Sequence, residues 1–200
     1  MTEPTPPHPI VRVVCKSLSP MLQDYSEPCT INAYQLALQT AISKLPRRER
    51  AEYKLYRGPH NELGFTFEML NAAISDAIKQ QEKQGVTPAI LGMPFREFIP
   101  FDQGTLHADR DHPKEPKKNI RNGWTADLRK SRDGMACRAK FPTWGFTAFC
   151  YVASPDEATL QAVRVLFNLA GLSCGLGAYR PAHGGPFGTF TVVEIAAETT

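Results

Sequence analysis

The chain has 200 residues, 42% hydrophobic and 22% charged, an ordinary composition for a globular protein long enough to bury a core. No apolar run approaches the roughly 20 residues that a membrane span needs, and five cysteines without a CxxC pair argue against a disulfide framework or a structural zinc site. Net charge is only +3, yet Lys114 to Lys140 carries nine basic residues against Glu115, Asp127 and Asp133, so that stretch is net +6 and the remainder net acidic. Such asymmetry points towards a polyanionic partner.

Met1 to Pro9 is polar and proline-rich with no apolar signal-peptide core, so a disordered lead-in to a cytoplasmic protein is expected. Ile10 to Leu18 is β-branched and partly alternating, the pattern of a strand, and Ser19-Pro20 ends it. Met21 to Pro28 reads as a loop. Asn32 to Leu45 has helical spacing in Leu36, Leu38, Ile42 and Leu45, closed by Pro46. Arg47 to Arg57 is highly charged and fits either a continued helix or a mobile excursion.

Phe67 to Gln84 is a clearer helix, with Met69, Leu70, Ala73, Ile74, Ala77 and Ile78 on one face and Gly85 as its stop. Val86 to Leu106 carries short apolar pieces, and prolines 88, 94 and 100 restrict them to short or edge strands. His107 to Asn122 reads as an exposed, lysine-rich loop. Trp124 to Leu128 and Met135 to Phe141 form the arms of a hairpin around Arg132-Asp133-Gly134. Thr143 to Val152 is an aromatic strand. Cys15 and Cys150 fall inside apolar strands, where a thiol behaves as a small buried hydrophobe.

Ser154 or Asp156 caps a helix over Ala158 to Ala170, with Pro155 near its first turn. A glycine-rich connection follows, GLSCGLGAYRP and then HGGPFG, ahead of a last strand from Phe187 to Ala196. This order predicts a single α+β domain over residues 10–196, ferredoxin-like or RRM-like. Its antiparallel sheet carries helices on one face, with a basic hairpin inserted at about 107–140.

Gly175-x-Gly177 lies between a helix and a strand, the reverse of a dinucleotide fingerprint, and no phosphate-binding GxxxxGK[ST] is present. No cofactor is therefore expected. His107, Asp109, Asp111 and His112 resemble a metal set, but Arg110 and the following prolines and lysines favour an exposed polar loop. His60 and His183 are each a lone histidine without a nucleophile or an orienting partner, so no catalytic group is assigned.

Aromatic residues interleave with the basic ones. Lys117, Lys118, Arg121, Arg129, Lys130, Arg132, Arg138 and Lys140 suit phosphates, and Arg180 does so from the glycine segment. Trp124, Phe141 and Tyr179 suit stacking on unpaired bases, worth about 1–3 kcal/mol each. Trp144 and Phe146 share one face of their strand while Phe149 points to the other, so at least one face is core.

Arg138 to Ile195 has the form R-x-x-F-x-x-W, an aromatic strand, a helix, G-x-x-x-G-x-G-x-Y-R-P and a closing F-G-x-F-x-V. Leu18-Ser19-Pro20-Met21-Leu22 follows the first strand. Together these resemble a group of uncharacterised bacteriophage proteins. That group is in turn similar to the RAMP superfamily, which includes the backbone subunits of CRISPR effector complexes. The resemblance implies an RRM-like core, a glycine-rich loop ahead of the last strand, and binding of a single-stranded nucleic acid, often in a head-to-tail array. The expectation is then a non-catalytic phage or prophage protein that binds a single strand, DNA during replication or recombination, as a homo-oligomer. The resemblance places Gly175, Gly177, Tyr179, Arg180, Gly185 and Gly188 on the binding loop. No histidine stands at a matched catalytic position and no second glycine-rich loop is present, so RNA cleavage is not implied. The alternatives are a module that inhibits a host nucleic-acid machine through a protein contact, and an endoribonuclease using His60 or His183.

Overall fold

A computed structural model describes residues 8–24, 40–106, 123–131 and 134–198. Its elements in chain order are β1 (Ile10–Ser17), β2 (Met21–Gln23), α1 (Arg47–Glu52), β3 (Gly64–Thr66), α2 (Phe67–Glu82), β4 (Phe98–Pro100), β5 (Thr125–Ser131), β6 (Gly134–Phe141), β7 (Gly145–Tyr151), α3 (Glu157–Leu169) and β8 (Phe190–Glu198).

The fold is mixed α+β, and among the described residues it has three small antiparallel sheets, ordered β7-β1-β8, β2-β6-β5 and β3-β4. β1 is the centre of the first sheet. Val11, Val13 and Cys15 alternate into the core, and the register sets them opposite Cys150, Ala148 and Phe146 of β7. Arg12, on the other face, reaches across β8 to Glu194 and Glu198. Beyond β7 the sheet gains one more bridge, where Gly92 pairs with Tyr151.

The helices are placed by their apolar stripes. Leu70, Ala73, Ile74 and Ala77 of α2 follow the i, i+3, i+4, i+7 rule, as do Val163, Leu166, Phe167 and Ala170 at α3, and both sets join one core with the inward residues of β1 and β7. Asp156 caps α3 by accepting from Thr159 N–H at 2.8 Å. Gly85, at φ 76°, follows the C-terminus of α2.

An aromatic cluster fills the space between the sheets. Trp144 and Phe146 stack at 6.1 Å between centroids, and Phe65, Phe101, Phe141 and Phe190 pack around them. Trp144 donates from Nε1 to Ser19 carbonyl at 2.9 Å. Gln23, buried in β2, holds Gly64 carbonyl at 2.6 Å and Tyr56 N–H at 2.9 Å, tying the second sheet to the third.

Several expectations change. Met21–Gln23 is a strand rather than a loop, because its three residues pair with Phe141, Lys140 and Ala139. The basic hairpin is not a decoration on a larger sheet. With β2 as third strand it forms a sheet of its own, and its inward residues Trp124, Ala139 and Phe141 join the common core. Of the helix expected over residues 32–45, residues 40–45 are described, and they are helical over 40–43. Cys29 and the lysine-rich loop from His107 to Asn122, including the histidine–aspartate set, lie outside the described residues.

Candidate functional site

The second sheet has two faces, and consecutive residues of β6 face opposite ways. Cys137 looks towards α1, donating from Sγ to Arg47 carbonyl at 3.2 Å, and Arg48 lies over Trp124 at 4.7 Å. Burial pushes the Cys137 thiol up, against the opposing pull of Arg50 and Arg47. Arg138 therefore looks the other way, and there the glycine segment covers the sheet.

That segment is a tight structure. After α3 the chain makes one wide π-helical turn, Ala170–Cys174, beneath which Gly171 packs against the backbone of Phe190. Ala178 then bridges to Leu22 of β2, donating its N–H to Leu22 carbonyl at 2.8 Å. Gly177, at φ 79°, has no room for a side chain, since a Cβ would stand 2.5 Å from Leu22 carbonyl. Gly188, at φ 73°, faces the backbone of Leu176 in the same manner. Gly175 and Gly185 likewise meet Pro181 and Tyr179 of the loop itself. What these glycines approach is the chain's own backbone. The sequence expectation that they line a binding loop changes accordingly: they shape it and leave its side chains to do the contacting.

The loop and the hairpin meet through side chains. Tyr179 donates from Oη to Lys130 carbonyl at 3.2 Å, and its ring lies over the Arg138 guanidinium at 4.9 Å. Arg129 lies over Phe187 at 4.4 Å and pairs with Asp127 at 2.6 Å. Tyr179 holds φ 53°, a left-handed value uncommon for a residue with a side chain. Arg180 is half-buried and donates from Nη1 to Gly175 carbonyl at 3.4 Å. The short 3₁₀ turn Pro181–His183 follows and leaves His183 exposed.

Beside this contact lies a cavity of about 390 Å³, lined by Asp24, Tyr56, Met69, Arg138, residues 177–179 and His183. Arg138 is 8% exposed. Its Nε and Nη2 both engage Asp24 Oδ2, at 2.7 and 2.6 Å, and Lys54 holds the other oxygen at 3.0 Å. Its Nη1 is buried with no hydrogen-bond partner among the described residues.

The expected site residues therefore divide. Lys130 is exposed and Lys140 half-buried, and neither has an ion pair among the described residues. Tyr179 and Arg180 stand on the glycine loop, from which Tyr179 reaches the Lys130 carbonyl. Trp124 and Phe141 are corrected: at 1% and 0% exposure they are core, one under Arg48 and the other against Phe101, so neither can stack on a base. Arg138 is also corrected, from an exposed phosphate contact to a buried, ion-paired group. Lys117, Lys118, Arg121 and Arg132 lie outside the described residues.

Sequence reasoning missed Asp24, which pairs with Arg138, Lys54, which holds the same carboxylate, and Tyr56, which lines the cavity beside them. It also left α1 undecided, although Arg47, Arg48 and Arg50 directly after Pro46 signalled a basic helical turn. His60 is exposed, its own N–H donating to Glu62 at 2.8 Å. Among the described residues no group of His, Cys, Asp and Glu could hold a metal, and no helix is long and apolar enough to cross a membrane. No protein-family model matches the chain, and no curated protein matches it.

Proposed function

We propose that the protein binds single-stranded nucleic acid along the face that the glycine loop and the β5–β6 hairpin share. The observation that carries this reading is their junction. Tyr179 bonds to the Lys130 carbonyl and lies over the Arg138 guanidinium, and Arg129 lies over Phe187, which joins the hairpin to the loop from distant segments. Arg180 and Lys140 would contact phosphates, and Tyr179 would offer a base the ring face that Arg138 leaves free. Neither cation is neutralised by a carboxylate among the described residues, which leaves both available to a polyanion.

The reading extends to the fold. The order β8-β1-β7, with Gly92 bridging onto β7, fits a ferredoxin-like or RRM-like circuit whose second strand has shrunk to a single bridge. α2 and α3 occupy the places of its two helices. The resemblance to bacteriophage proteins related to the RAMP superfamily supports the same choice of ligand and a head-to-tail array along the strand. No part of the reading requires catalysis.

Fluorescence polarisation with labelled single strands at several salt concentrations tests it. Binding at low salt that weakens steeply as salt rises is expected. Absence of binding at low salt, or an affinity indifferent to salt, rejects it.

A further inference from the structure

The nucleic-acid reading leaves the cavity beside Arg138 without a role. We propose that this cavity is a binding site for a nucleoside monophosphate unit. Its phosphate would rest on Arg138 Nη1 and His183, and its base against Tyr56 and Tyr179.

The guanidinium argues for an anion. Arg138 and Lys54 both engage the carboxylate of Asp24. Using Nε and Nη2 on Asp24 leaves Nη1 turned away from it, buried and without a hydrogen-bond partner among the described residues. A buried cationic donor left unpaired is costly, and a ligand oxygen is what it lacks. The guanidinium is also fixed by the Asp24 pair, so it is preorganised for an oxyanion.

Size and walls argue for a nucleoside attached to that anion. About 390 Å³ lies within the range of small-molecule sites, and a bare phosphate would leave most of it empty. Two tyrosines line it, which suits a flat heterocycle. Tyr179 covers the guanidinium from a left-handed backbone conformation, and its hydroxyl is tethered to Lys130 carbonyl. Strain of this kind persists where surrounding contacts hold it, and it gathers at ligand clamps. A small movement of that ring would uncover Nη1.

The unit could be a free nucleotide or the phosphorylated end of a strand. Only the second source rests on the nucleic-acid reading. Calorimetric titration of the full chain with adenosine 5′-monophosphate, adenosine and inorganic phosphate separates the contributions. The monophosphate is expected to bind about tenfold or more tighter than either fragment. Arg138→Lys should lose about tenfold, and His183→Ala, on an exposed turn, should weaken binding severalfold without changing the melting temperature. If Arg138→Lys fails to fold, His183→Ala alone decides. Equal binding of nucleotide and nucleoside, no binding of either, or wild-type affinity in His183→Ala overturns the proposal.

A second arm compares strands ending in phosphate with strands ending in hydroxyl. A preference of about tenfold for the phosphate assigns the cavity to strand ends. No preference, with the monophosphate still bound, assigns it to free nucleotides. No preference and no monophosphate binding overturns the cavity while binding of the hydroxyl-ended strand keeps the nucleic-acid reading.

Discussion

Single residues in the glycine loop carry unequal burdens, although several share one backbone conformation. Gly184 and Gly188 have φ of 74° and 73°, yet only Gly188 is pressed against another backbone, that of Leu176. Gly184→Ala should cost about 1 kcal/mol, the penalty of the left-handed region alone. Gly188→Ala should cost at least about 3 kcal/mol, because Leu176 cannot withdraw without breaking its bond to Gly188 carbonyl at 2.9 Å. Urea denaturation of both variants measures the contrast, and equal losses would contradict the packing described. Thiols provide a second residue-scale test. Cys15 is completely buried, and burial pushes its thiol far up; the Cys150 thiol is pushed up to about 12 for the same reason. Neither should react with iodoacetamide at pH 8 in the native state, and mass spectrometry should show both labelled once urea is added.

At the scale of elements, the start of α3 depends on one carboxylate. Thr159 N–H donates to Asp156 and holds that carboxyl below the usual range, so the ionised form is favoured in the folded chain. This contribution is complete above the carboxylate's unfolded range and is lost as pH falls through its lowered folded value. Asp156→Ala should therefore lower the melting temperature by about 2–4 °C near neutrality, and the gap from wild type should close in acid. Differential scanning calorimetry at pH 7 and pH 3 checks both parts.

The same helix shows what the sequence makes legible. Its apolar repeat, its cap and the glycine-rich exit are local patterns, and so are the alternation of β1 and the hairpin of β5 and β6. β2 is different. Three residues after a proline carry no strand periodicity, and only β6, more than a hundred residues later, makes them a strand. Trp124 and Phe141 misled for a related reason. Basic neighbours suggested exposure, whereas alternation in β6 sends Arg138 and Lys140 to the face opposite Phe141, and Trp124, just before β5, is buried under Arg48. The cavity was illegible altogether, because Asp24, Tyr56, Arg138 and His183 are joined by no sequence interval.

For the whole molecule, the proposed binding surface is a seam between the hairpin and the loop rather than a patch on one element. Arg180→Ala removes a cation there without touching the core. Its affinity for a single strand should fall about threefold to tenfold, and the slope of affinity against salt should shrink by about one phosphate contact. Polarisation titrations over a salt series measure both. An unchanged slope would move the nucleic acid off this face.

The central position of β1 governs how the molecule can be made. This strand, near the start of the chain, is hydrogen-bonded on one side to β7 and on the other to β8, which ends at Glu198. During synthesis its edges stay open until β7 and β8, more than a hundred residues later, have left the ribosome. Closing two such distant pairings is slow, and an unpaired apolar strand invites the wrong neighbour meanwhile. Folding rate, rather than final stability, is then the quantity most exposed to changes in β8. A shortened last strand should reveal itself first as aggregation of newly made protein.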